Sequence, residues 1–160
     1  MRVAVPKEIR AGEKRVALVP DVISKFTKLG YEVVIVSGAG IHAQATDKDY
    51  EAVGAKIAGE VLKDADIVLS VQPLTPEQAG SLKNGAVTIS FLSPTTAVEN
   101  IEALAKAGAT SFSMELVPRI SRAQSMDALT SQALCAGYKA TLIGAELSPR
   151  FFPLLMTAAG

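Results

Sequence analysis

Residues 20–37, PDVISKFTKLGYEVVIVS, hold a helix and a strand on either side of Gly30. Pro20 suits the first turn of a helix, and Gly30 can take the positive φ that ends one. Between them the apolar residues recur at the i, i+1, i+4, i+7 spacing of one helical face: Val22, Ile23, Phe26 and Leu29. The β-branched run at 32–36 then predicts a buried strand.

The same alternation continues along the chain. Short apolar runs predict strands at 3–5, 32–36, 67–71, 86–91 and 110–113. Amphipathic segments predict helices at 20–29, 47–53, 76–82 and 96–107, and an Ala-rich stretch predicts a long one at 127–147. We therefore expect an α/β fold: a three-layer α/β/α arrangement with a mainly parallel sheet, flavodoxin-like or Rossmann-like. Residues 1–126 are predicted to form this domain.

Composition narrows the class of partner. Lys and Arg balance Asp and Glu at 16 each, which argues against nucleic acid or an anionic membrane as the main partner. No apolar run approaches the roughly 20 residues of a membrane span, so direct membrane insertion is not expected. MRVAVPKEIR is charged too early for a secretory signal, and a cytoplasmic protein is expected. Cys135 is the only cysteine, so a metal site is not expected.

The segment 38–43, GAGIHA, satisfies G-x-G-x-x-A on paper. A dinucleotide fingerprint should open a helix directly, but the next helix start is delayed to Thr46 or Asp47. We therefore predict a turn at a strand end, with His42 exposed in it. Cys135, inside the long helix, is predicted to be a small buried hydrophobe.

A polar loop, LVPRISRAQSMDALTSQ at 116–132, leads from the last strand into the long helix. Asp127 or Ser125 is the predicted N-cap of that helix. Loops at the carboxyl ends of strands are where α/β proteins bind ligands. From the residues alone, this segment is either a ligand-binding loop or a solvated loop with helix caps.

The segment PRISRAQSMDALTSQ resembles the signature loop of the NAD(H)-binding component of proton-translocating NAD(P) transhydrogenase. MRVAVPKE, EKRVALVP at 13–20 and VSGAG at 36–40 resemble the N-terminal pattern shared by alanine dehydrogenases and transhydrogenases. AGYKA at 136–140 and RFFPLLMTAAG at 150–160 are similar to the transhydrogenase branch. The resemblance implies that residues 127–160 are a bridging helix and tail leading to a second, NAD-binding domain, before which the chain is truncated. The apolar tail is then expected to be an exposed patch on an isolated monomer.

The resemblance also implies a site. NAD(H) is expected on this subunit and NADP(H) on a partner subunit. Gln124 and Asp127 carry the catalytic role, in orienting the nicotinamide. The residues implied to contact the cofactor are Arg119, Ile120, Ser121, Arg122, Gln124, Asp127 and Thr130, the last standing where serine is the expected form.

The implied partners are the membrane component and the NADP(H)-binding component of the enzyme, together with a second copy in a homodimer. The subunit is expected to be peripheral on the cytoplasmic face of the inner membrane. It would take part in hydride transfer between NAD(H) and NADP(H), coupled to proton translocation, while this fragment alone should be inactive.

Two alternatives stay open. An amino-acid dehydrogenase of the alanine type needs an Arg, a Lys and a His, by resemblance to that family, and the matching positions are Arg15, Gln72 and Ser93. Two of the three are missing, and Arg15 is expected to be paired with a carboxylate. The other alternative is a non-catalytic dimerisation or docking module, favoured by the apolar tail.

Overall fold

Six strands in the described part of the chain form one parallel sheet. The computed structural model describes residues 1–150 and 152. The sheet order is β3-β2-β1-β4-β5-β6, and every pairing is parallel. The strands are β1 (Arg2–Val5), β2 (Glu32–Val36), β3 (Lys56–Ala58), β4 (Ile67–Leu69), β5 (Val87–Ser90) and β6 (Thr110–Ser113).

Helices follow the strands as predicted, with ends that differ by one or two residues. They are α1 (Pro20–Lys28), α2 (Asp47–Ala52), α3 (Pro76–Gly80), α4 (Val98–Lys106) and α5 (Ala128–Leu147). Gly30 and Gly108, just beyond α1 and α4, have φ of 81° and 68°, the positive values expected after a helix. The strand β3 was not predicted, because KIA is too short and too exposed to form an apolar run.

Both faces of the sheet are buried, which confirms the three-layer arrangement. On β1 and β2, Val3, Val5, Val33 and Ile35 point to one face, where α1 and α2 supply the buried Ile23 and Tyr50. The intervening Ala4 and Val34 point to the opposite face. There α3 and α4 contribute Ala79 and Leu104. The alternation follows from the two-residue period of a strand.

The chain packs as two units, Met1–Leu116 and Val117–Gly160. The sheet with α1–α4 is the first unit, and α5 belongs to the second. The domain boundary expected between residues 126 and 127 stays a prediction. The apolar tail lies outside the described residues except for Phe152, which is half exposed.

The prediction that Cys135 is buried is wrong, since its side chain is exposed. The reason is that α5 has no buried residue, and its apolar side chains are spread around the helix instead of gathering on one face. Leu134 and Leu142 on the same helix are likewise exposed. In residues 1–150 and 152, no helix is both long and apolar enough to span a bilayer.

The turn predicted at 38–43 is confirmed. Gly38 has a φ of 70°, a 3₁₀ helix occupies Ile41–Ala43, and His42 is exposed. The helix α2 starts only at Asp47, where Thr46 and Asp49 form a capping box. The α-helix therefore begins four residues after this segment, whereas in a dinucleotide fingerprint it begins directly at the glycines, and the Asp47 carboxylate accepts a hydrogen bond from the Gly38 N–H.

Gly40 is needed for close packing. A Cβ atom at this position would lie 2.7 Å from Cε2 and Oη of Tyr50 and 2.8 Å from the carbonyl oxygen of Ala45. Tyr50 is fully buried and donates a 2.7 Å hydrogen bond to the carbonyl of Leu18, so the ring cannot move away freely. The glycine serves the core of the sheet unit.

We expect Gly40→Ala to lower the free energy of unfolding by about 1–3 kcal/mol, the usual cost of overpacking a core. Urea denaturation of the 160-residue chain measures this directly. Gly80→Ala is the matched control, since a Cβ there meets nothing within 4 Å, and it should change stability by less than about 0.5 kcal/mol. Equal stability of the two variants would contradict the packing role of Gly40.

Candidate functional site

The predicted cofactor loop folds into a compact turn ahead of α5. Its backbone bends at Ile120, whose N–H donates to the carbonyl of Pro118 at 3.0 Å. A 3₁₀ helix then occupies Ser121–Met126. Ala123 within it is buried, and its N–H donates to the carbonyl of Ile120 at 2.9 Å. The loop thus has a hydrogen-bonded turn structure of its own, from which its polar side chains extend.

Asp127 joins this loop to α5, and its predicted capping role is confirmed. Its carboxylate accepts hydrogen bonds from the Thr130 backbone N–H at 2.9 Å and from the Thr130 hydroxyl at 2.6 Å. These two bonds, the hydroxyl bond first, lower the pKa of Asp127, and the nearby charge of Arg119 acts in the same direction. Asp127 is therefore ionised at neutral pH, and Thr130 holds its carboxylate in place.

An open hollow of about 370 Å³ lies in the loop. Its lining includes Arg119, Gln124 and Asp127, all three of them predicted cofactor contacts. The other lining residues are Ile120, Ser121 and Ala123. Two predicted contacts, Arg122 and Thr130, lie outside this lining; Arg122 is exposed, and the Thr130 hydroxyl donates to Asp127. The hollow therefore offers a guanidinium, an amide and a carboxylate to one ligand.

A second hollow, of about 470 Å³, lies in the sheet unit at the carboxyl ends of β1, β4 and β5. The residues that follow β1 and β4 line it, and these neighbouring strands carry chain connections that run in opposite directions across the sheet. Such a switch point is where open α/β sheets hold ligands. Gln72 and Ser93, the positions where alanine dehydrogenases are expected to have Lys and His, both line this hollow.

A largely buried carboxylate, that of Glu13, holds Gln72 in place. Glu13 accepts a 2.6 Å hydrogen bond from the Gln72 amide, bonds from Nε and Nη2 of the Arg15 guanidinium at 2.7 and 2.6 Å, and a 3.0 Å bond from the Arg15 backbone N–H. The Arg15 side chain is the first cause of the lowered pKa of Glu13, which falls from its usual 4.5 to about 2. The expectation that Arg15 pairs with a carboxylate is confirmed. The side-chain amide oxygen of Gln72 in turn accepts a 2.9 Å hydrogen bond from the Arg10 guanidinium.

A family model described as the alanine dehydrogenase/PNT N-terminal domain matches residues 4–136. The chain belongs to this family. It is 47% identical over 168 aligned positions to the first portion of the NAD(P) transhydrogenase alpha subunit of Rhodospirillum rubrum, covering 100% of this chain and 44% of that protein. The chain thus spans less than half the length of the curated relatives that it matches.

Both branches of the alanine dehydrogenase/PNT family are represented among the relatives. The crystal structure of transhydrogenase from Sinorhizobium meliloti superposes with a TM-score of 0.92 at 41% identity, covering 100% of this chain and 48% of that one. An alanine dehydrogenase of Mycobacterium tuberculosis is 34% identical over 91% of this chain and 39% of its own. The family resemblance and the α/β fold are confirmed.

The cofactor contacts assigned to the loop stay predictions.

Two further residues near the strand ends, Glu8 and Glu115, were not predicted from the sequence. Glu8, half-buried after β1, accepts backbone hydrogen bonds from Val71 at 2.6 Å and Gln72 at 3.2 Å. Burial raises its pKa, and these bonds act against that rise. Glu115, after β6, bonds in a similar way to the residues after β5. The only signal in the sequence was an acidic residue shortly after an apolar strand.

Glu13 makes the stability of the sheet unit depend on pH. Its pKa is lower in the folded chain than in the unfolded chain, so its stabilising effect is present above about pH 4.5 and is lost as the pH falls toward 2. We expect Glu13→Gln to be less stable than the wild type at pH 7, with the difference shrinking steadily below about pH 4.5.

Urea denaturation across this pH range measures the difference between the two unfolding free energies. Glu51→Gln is the control, because Glu51 is an exposed carboxylate on α2. A difference between Glu13→Gln and wild type that stays constant with pH would exclude the ion pair as its source.

Proposed function

We propose that this chain forms the N-terminal region of the NAD(H)-binding subunit of a proton-translocating NAD(P) transhydrogenase. In the complete subunit, a dinucleotide-binding domain would follow the bridging helix, and the loop at 119–130 would contact the nicotinamide end of the bound NAD(H). The observation that carries the proposal is the hollow in which Arg119, Gln124 and Asp127 meet. The identity to the Rhodospirillum rubrum subunit supports it.

The residues of the hollow fit the carboxamide end of a nicotinamide. A carboxamide both donates and accepts hydrogen bonds, and the Gln124 amide complements it in both respects. Arg119 supplies a planar cation that can stack on the ring or bind a phosphate. Asp127 supplies a fixed acceptor for the carboxamide NH₂, since its carboxylate oxygens have lone pairs beyond those used by Thr130. A volume of about 370 Å³ lies in the usual range for small-ligand sites.

This chain would contribute orientation and not acid–base chemistry. The bound NAD(H) supplies the hydride. Transfer between two nicotinamides moves no proton at the reacting carbons, so the protein must hold the ring at the right distance and angle and exclude water. The fixed Asp127–Thr130 pair and the ordered turn before it provide a rigid support for that orientation.

The proposed enzyme is assembled from several components. The NADP(H)-binding component would present its nicotinamide to the one held here, and the membrane component would couple the transfer to proton movement. The subunit would work as a homodimer on the cytoplasmic face of the inner membrane. The names of the relatives, which describe an alpha subunit and, in Rhodospirillum rubrum, a portion of one, support an enzyme of several chains.

The alternative is a dehydrogenase acting on an amino acid. The alanine dehydrogenase relative favours it, while the hollow at the strand ends argues against it. Gln72 and Ser93 there stand where alanine dehydrogenases are expected to have the Lys and the His that supply a cation and a general acid or base for carbon–nitrogen chemistry. Reductive amination of pyruvate with ammonia and NADH by the complete subunit would establish this alternative.

We expect Gln124→Asn to slow hydride transfer about tenfold while changing the dissociation constant of NADH less than about threefold, because the shorter amide misplaces the ring. The assay uses the complete subunit mixed with the NADP(H)-binding component, with an NAD analogue as acceptor. Arg119→Ala should also slow the transfer sharply.

Ser125→Ala is the matched control, since Ser125 lies in the same 3₁₀ helix but outside the lining of the hollow, and it should transfer hydride at the wild-type rate. Unchanged turnover of Gln124→Asn with a raised dissociation constant would contradict the orienting role. Absence of transfer by the wild type, despite NADH binding, would overturn the proposed function.

A further inference from the structure

Glu115 forms hydrogen bonds at the carboxyl-terminal ends of two neighbouring strands, β5 and β6. It lies in the 3₁₀ turn Met114–Leu116 that directly follows β6. Its carboxylate accepts a 2.6 Å hydrogen bond from the hydroxyl of Ser113, the last residue of β6. It also accepts from the backbone N–H groups of Leu92, at 3.1 Å, and Ser93, both of which follow β5. One side chain thus joins two segments more than 20 positions apart.

Ser93 needs this support because its backbone is in an unfavourable conformation. Its φ is 49°, in the left-handed region that residues other than glycine seldom adopt. The N–H of Ser93 is held by Glu115, and its carbonyl accepts from the N–H groups of Thr96 and Ala97, each at 2.9 Å. Ser93 lines the hollow at the carboxyl ends of the strands. Strained residues held on both sides in this way are concentrated at functional sites.

The charge of Glu115 is important to this arrangement. Burial acts to raise its pKa, but the hydrogen bonds from Ser113, Ser93 and Leu92 together lower it. The donors are neutral groups, so the carboxylate holds its neighbours through three directed bonds and not through an ion pair. Glutamine at this position would keep one acceptor oxygen and replace the other with a donor.

We propose that Glu115 is a positioning residue for the loop at 119–130, because it fixes the point where the chain leaves the sheet unit. Only Leu116 separates it from the second unit, which begins at Val117 and carries Arg119, Gln124 and Asp127. Glu115 acts through the backbone and touches no reacting atom. The inference rests on the proposed function for its kinetic consequence, but its structural consequence can be tested separately.

The structural test records backbone amide NMR spectra of the 160-residue chain. In Glu115→Gln we expect shifts at Leu92 and Ser93 and also at residues 119–127. Glu99→Gln, which changes an exposed carboxylate on α4, should shift neither group. Shifts confined to Leu92 and Ser93 would overturn the positioning role. If Glu115→Gln fails to fold, Ser113→Ala removes one of the three donors and should produce smaller shifts at the same two groups of residues.

The kinetic test uses the complete subunit with the NADP(H)-binding component. We expect Glu115→Ala to lower the single-turnover rate about tenfold and Glu115→Gln about threefold, with the NADH dissociation constant changed less than about threefold. A purely structural role would reduce the folded fraction and leave the rate per folded molecule unchanged, and that result would overturn the inference. If the wild type transfers no hydride, the proposed function fails, and the NMR spectra still decide whether Glu115 positions the loop.

Discussion

The parallel direction of all six strands is the constraint on which the rest of the structure depends. Parallel strands need helical crossovers that cover both faces of the sheet, and they bring every strand's carboxyl end to one edge. The backbone N–H groups just beyond that edge have no further strand to pair with and must find other acceptors. Two glutamates supply them, Glu8 for the residues after β4 and Glu115 for the residues after β5.

These two carboxylates also explain how the edge keeps its shape. Each glutamate follows one strand and bonds to the segment that follows a neighbour, so the loops are tied in pairs, β1 to β4 and β5 to β6. A charged acceptor makes a stronger bond to an N–H than a neutral one does. The proposed orienting role requires rigid loops at this edge, because a displacement of about 1 Å at a reacting centre can cost about a hundredfold in rate.

Local sequence patterns predicted most helices and strands. They did not predict contacts between residues that are distant in sequence. The helix α1 carries its own start, apolar face and stop, and the Asp127 cap lies three residues from its partner Thr130. In contrast, the partners of Glu115 lie 22 and 23 positions away, and no local pattern indicates them. The prediction that Cys135 is buried was wrong for another reason. The composition of an Ala-rich helix suggests burial, but the apolar residues of α5 share no common face. The loop residues Arg119 and Gln124 were predicted only through a resemblance, since polar residues before a helix are equally typical of a solvated cap.

One fold carries both branches of this family, so function has to be inferred from side chains. Position 72 is the clearest case. Glu13 is shared between the Arg15 guanidinium and the Gln72 amide, and Gln72 in turn accepts from Arg10. A neutral amide can do both, donating to the carboxylate through its nitrogen and accepting from the guanidinium through its oxygen. Lysine could only donate, and it would place a second cation beside Arg10. With glutamine at position 72, both polar ends of the side chain are hydrogen-bonded, and the hollow lacks the lysine and the histidine that alanine dehydrogenases are expected to have at positions 72 and 93.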